Sequence, residues 1–214
     1  MFLLNPDSIK KKNEKIILKY GGEICNWLGV IEMNKEIRSL NEIIERSLIL
    51  NAMLNIYFKA PISIINNWII NNELFDKTTS SEREILKKTN AELTERQNIS
   101  LFWNIEALWA LMWAGSLIKE IPFHKSVEDY MASLCPNLEK NENSDKFRLK
   151  MKSRNKNEIF EKLDLYYRLH WYTEECRIHN KTPKGISGDV IMERRKALEW
   201  ICNNNSWDEI ELNT

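Results

Sequence analysis

The sequence predicts an all-α fold: a single compact multi-helix domain with at most a minor β element. Three observations predict it. Six glycines and five prolines in 214 residues are too few for a turn-rich β-sandwich and suit long helices. Helix-capping patterns recur, with Ser39-Leu40-Asn41-Glu42 the clearest. The run from Ile99 to Lys119 is apolar almost all round, as the central helix of such a domain must be.

The elements follow in order. Pro6-Asp7-Ser8 opens a helix to about Tyr20, where Gly21-Gly22 stops it. Residues 23–38 read as a short strand or an irregular loop. After the Ser39 cap, Ile43, Leu50, Met53, Leu54 and Phe58 keep helical spacing. Pro61 suits the first position of a helix through Asn72. Ser81-Glu82-Arg83-Glu84 caps another. A break near Thr94 precedes the apolar helix at about 99–119, which Pro122 ends. Ser126–Leu134 makes a short helix closed by Cys135-Pro136. Residues 137–155 are polar and read as a flexible loop. Asn155 and Glu158 open a long helix to about Asn180. Pro183, Gly185 and Gly188 then turn the chain into a last helix at about 189–203. The long helix and the last helix are expected to pack on the central one. No repeat or linker divides residues 1–214.

Composition excludes several classes. Lys+Arg and Asp+Glu both number 31, so no net field draws the chain to nucleic acid or an anionic membrane. Cys25, Cys135, Cys176 and Cys202 are widely and irregularly spaced, which predicts reduced thiols and a cytoplasmic location rather than a disulfide framework. The apolar start Met1-Phe2-Leu3-Leu4 is too short for a secretory signal. Ile99–Ile118 is long enough to span a bilayer. Its tryptophans lie along its length rather than at its ends, however, and Glu106 would cost roughly 2–3 kcal/mol at a bilayer centre. The buried-core reading is preferred, and no membrane association is expected.

Charges inside apolar segments are the candidate functional residues. Asp164 and Arg168 share a helix face that Trp171 continues. Glu106 sits on the most apolar helix, and Glu193-Arg194 precede the stripe Ala197, Leu198, Ile201. Charges so placed must be paired or they cost several kcal/mol. The preferred expectation is an internal salt-bridge network; the alternative is a polar pocket lined with tryptophan. His170, beside Arg168 and Trp171, is a general base only if a carboxylate orients it. Cys176 and His179 lack the further ligands a zinc site needs. Arg148, Lys150, Lys152, Arg154 and Lys156 alternate, and an extended backbone would align them as one basic face; a solvated loop or edge strand is preferred, with a phosphate or acidic-partner contact as the alternative. The sequence holds no Walker A loop, Rossmann glycine fingerprint, G-x-S-x-G elbow or H-E-x-x-H. No cofactor or metal is therefore expected.

Several pieces carry a family likeness. They are Arg46 within Glu42–Leu50, the run Trp103–Gly115 followed by Pro122, and Glu158-Ile159-Phe160 with Asp164–Trp171. Glu193–Trp200 and the closing Trp207-Asp208 complete the set. In this order they resemble the bacterial domain-of-unknown-function 4272 family, from about Lys15 to the end. The resemblance implies a soluble, mostly helical bacterial domain and imports no reaction. It marks Glu106, Asp164, Arg168, His170, Glu193 and Arg194 for attention, with Arg46 and Trp171 beside them.

Two functions of different classes fit. The first is an intracellular protein-binding module, of an accessory or immunity type, that neutralises or tethers a protein partner. The second is an enzyme or small-molecule receptor whose pocket is built from those six residues and grips an anionic ligand. The first is preferred, and the chain leans away from catalysis. Geometry separates them: a pocket requires the six to converge on a solvent-connected cavity, and a brace requires them to saturate one another.

Overall fold

The computed structural model describes residues 5–214; the start Met1–Leu4, read above against a secretory signal, lies outside the described residues. Among the described residues the fold is all-α, with nine helices and no strand. They are α1 Pro6–Lys19, α2 Leu40–Tyr57, α3 Ile62–Asn71, α4 Ser80–Leu86, α5 Glu95–Ala114, α6 Met131–Leu134, α7 Asp145–Lys150, α8 Lys156–Ile178 and α9 Gly188–Ile201. In space they neighbour one another in the order α1, α8, α9, α5, α2, α3, α4. No helix among the described residues is long and apolar enough to cross a membrane.

The central helix is α5, whose residues Glu106–Ala114 are all buried. It lies between α2 and α9. Ala107, Ala110 and Ala114 are buried on it together with Trp109, which meets Tyr130 edge-on at 5.7 Å, and Trp113. The long helix α8 does not sit chiefly on α5 as expected: it packs on α9 and α1, so α9 is the layer between them. A helix flanked on both sides buries residues on two faces, which explains the consecutive buried Arg194 and Arg195 of α9.

Capping residues move several boundaries. The chain does break at Thr94, and Thr94 itself starts α5 in a capping box with Gln97, so the central helix runs Glu95–Ala114 rather than about 99–119 and ends at Gly115, well before Pro122. Thr79, rather than Ser81, caps α4 by the same device with Glu82. Pro61 is the residue before α3, and Phe58 ends α2 and points an exposed ring to solvent. Only Met131–Leu134 of the expected 126–134 helix forms. Residues 23–38 are irregular rather than a strand.

Residues 137–155 are not a loop throughout. Asp145–Lys150 is helical, and Phe147 and Met151 are buried. The segment after it closes the end of α5. Lys152 and Arg154 donate backbone N–H bonds to the Gly115 and Ala114 carbonyls at 2.8 and 3.2 Å. The Arg154 guanidinium donates to the carbonyls of Trp113 and Ile118 at 2.7 and 2.8 Å and lies 4.4 Å over the Trp113 ring. Carbonyls at a helix C-terminus have no partner within the helix, and a cation suits that end of the dipole. The alternating basic residues are therefore not one exposed face. A Cβ on Gly115 would lie 2.2 Å from Met151 Sδ, so any larger residue there obliges the Met151 side chain to move.

Candidate functional site

The interior charges form separate pairs. On α8, Arg168 meets Asp164 with Nε to Oδ2 at 2.9 Å and Nη2 to Oδ1 at 2.7 Å. Asn13 of α1 donates to the same carboxylate at 2.9 Å, and Arg168 also donates to the Gly29 carbonyl at 3.0 Å. The pair thus ties the irregular 23–38 segment and α1 to α8. Trp171 is half-buried against the core one turn on.

A second pair ties α9 to α5. Arg194, fully buried, holds Glu106 Oε2 at 2.8 and 2.7 Å through Nε and Nη2. Its remaining donors reach Pro122 O, Lys125 O and Tyr166 Oη at 2.9, 2.8 and 3.1 Å. Burial pushes the Glu106 carboxyl above the usual carboxylate range, and Arg194 opposes that shift.

Among the described residues no carboxylate orients His170. Its Nδ1 accepts from Arg195 Nη1 at 2.6 Å, so the neutral ring carries its proton on Nε2. Burial and the Arg195 charge push its pKa down to about 4. Arg195 also lies 4.8 Å over the Tyr167 ring and donates to the carbonyls of Leu212 and Asn213 at 3.3 and 2.9 Å, holding down the C-terminal segment. Sequence reasoning missed Arg195, which reads as part of a basic run. Its spacing of four from Glu199, 4.0 Å away, was the available signal.

Glu193 stands apart. It is half-buried, takes part in no ion pair among the described residues, and burial raises its pKa to about 7. Asp189 and Glu106 add to the rise while Lys196 opposes it. Cys176 is buried, His179 bonds its own helix at Glu175 O, and no group of three or more His, Cys, Asp or Glu among the described residues is placed to hold a metal. The six residues that the pocket alternative would gather round one cavity are divided among distinct contacts on α5, α8 and α9.

Open space lies elsewhere. A cleft of about 670 Å³ opens between the N-terminal half of α2, the 77–83 segment and the chain after α9. Arg46 enters its wall. Glu82 uses one oxygen to cap α4 and the other to hold Arg46 Nη1 at 2.6 Å. Arg46 also donates to Lys77 O at 2.7 Å and lies 5.4 Å from the Trp207 ring. Trp207 meets Trp200 edge-on at 5.7 Å, and Arg38 stacks 4.2 Å over Trp200. Arg38 donates to Trp200 O and Asn205 O at 2.8 and 2.6 Å, which fixes the chain after α9. Asp208 accepts from Ser81 N at 3.2 Å and closes the rim. Arg83 is held on Thr78 Oγ1 at 3.1 Å and has no carboxylate partner among the described residues.

Fold and site define a helical domain braced by buried ion pairs, with a cleft of arginines and stacked tryptophans on its surface. The model of one family, described as a domain of unknown function (DUF4272), matches residues 10–210, and the chain belongs to that family. Searches of curated proteins and of solved structures gave no match.

Proposed function

We propose that the chain is an intracellular bacterial protein-binding module, of an accessory or immunity type, whose contact site is the cleft at Arg38, Arg46, Arg83, Trp200 and Trp207. The observation that carries this reading is the fixed stack of Arg38, Trp200 and Trp207, with Arg46 and Lys196 both close to the Trp207 ring. Arginine and tryptophan dominate the energetics of protein interfaces, and side chains held in advance lose little entropy on binding. Arg83, held but without a carboxylate, offers a charge for a partner to meet.

A second reading rests on the cleft's volume. About 670 Å³ falls in the range of small-molecule sites, and cations alternate with Glu42, Glu45, Asp208 and Glu209. That suits a small zwitterionic ligand. Native mass spectrometry of the protein purified gently from its host separates the two. A protein at fixed stoichiometry supports the module, and a small extra mass lost on denaturation supports the receptor. A bare chain under both conditions contradicts both.

A further inference from the structure

A second groove lies on another part of the molecule, between the end of α2 and residues 127–139, with a volume of about 450 Å³. Its floor is apolar: Leu54, Met131 and Leu138 are buried, while Phe58 at the mouth is 61% exposed. Its rim is acidic. Glu128, Asp129 and Glu139 all line it and are exposed, and no lysine or arginine does. In a chain of zero net charge this is a local excess of negative potential over apolar surface. Asn51 adds an independent sign. It is 6% exposed and lines the groove, yet its side-chain contacts to Pro136 O and Asn55 Nδ2 are both at the 3.5 Å limit. A buried amide so weakly bonded has capacity for a further partner.

We propose that this groove receives a basic amphipathic helix of a partner protein. Apolar side chains would enter over Leu54, Met131 and Leu138, beside Phe58. Lysines or arginines flanking them would meet Glu128, Asp129 and Glu139, and a polar group would reach Asn51. A wholly apolar segment would leave the carboxylates without partners, and an acidic one would be repelled. The proposal does not depend on the cleft at Trp207.

The test is fluorescence anisotropy of the full chain with a dye-labelled helical peptide of about 18 residues, leucine on one face and lysine on the other. A control peptide carries glutamate in place of lysine, and a second carries lysine without leucine. The leucine–lysine peptide should bind, more weakly as salt rises, and neither control should. The triple variant E128Q/D129N/E139Q, confined to exposed positions, should bind about tenfold more weakly. Ala132→Trp, which fills the groove from its exposed edge, should abolish binding. Arg83→Glu, in the distant cleft, should leave it unchanged. Equal binding by the triple variant, by Ala132→Trp or by either control peptide overturns the proposal. So does a dimer of the chain itself that Ala132→Trp disperses, since the groove would then belong to a second copy.

Discussion

Arg168 and Asp164 lie one turn apart on α8 and meet through two hydrogen bonds, at 2.9 and 2.7 Å, with both side chains buried. Removing Arg168 leaves the buried Asp164 charge with only the neutral Asn13 amide beside it. Arg168→Ala is expected to lose roughly 3–5 kcal/mol of stability. Chemical denaturation of the variant and wild type measures this directly. Loss of less than about 1 kcal/mol would mean that the pair does not brace the fold.

Arg154 does its work through geometry as much as charge. Its planar fork serves two carbonyls and stacks on Trp113. Arg154→Ala should cost roughly 1–3 kcal/mol, and Arg154→Lys should restore little of it, because an ammonium cannot keep both bonds and the stack. Thermal unfolding of the two variants checks the ranking.

Glu193 makes the fold sensitive to alkali. Its folded pKa, about 7, lies above the unfolded value near 4.5. The folded state therefore holds the proton more tightly. The stability this gives is fully present below about pH 4.5 and is lost as pH rises through 7. Glu193→Gln keeps the shape and removes the titration. It should be more stable than wild type by roughly 1–3 kcal/mol at pH 8 and similar to it at pH 4, as read from melting temperatures.

His170 acts in the opposite sense. Its folded pKa of about 4 lies below the ordinary 6.5. Stability from the neutral ring is present above 6.5 and is lost as pH falls through 4. His170→Gln retains an oxygen acceptor for Arg195 and cannot be protonated. It should flatten the acid limb of the stability profile between these pH values.

The sequence carried some of this and hid the rest. The Asp164–Arg168 pair was legible because both members share one helix, and a spacing of four fixes their contact. Its third partner, Asn13, comes from α1 and carries no local signal. Glu106 and Arg194 stood out as charges on apolar helices, but their contact depends on α9 lying against α5. The basic alternation at 148–156 misled because it assumes an extended backbone. A helix at 145–150 and the C-terminal carbonyls of α5 recruit those residues differently. Thr79 and Thr94 show that capping boxes were present in the sequence and out-ranked the neighbouring signals that suggested later starts. Arg46 and Trp207 were visible singly. The cleft that joins them is assembled from three distant segments, which no periodicity reports.

On the function proposed above, interior charges brace the fold while the cleft meets a partner. Native mass spectrometry of three proteins purified gently from the host, wild type, Glu193→Gln and Arg83→Glu, tests that division. One partner protein at fixed stoichiometry is expected on wild type and on Glu193→Gln, and its loss from a folded Arg83→Glu. A partner or ligand that survives Arg83→Glu and disappears from a folded Glu193→Gln would contradict it and return the function to the charged interior.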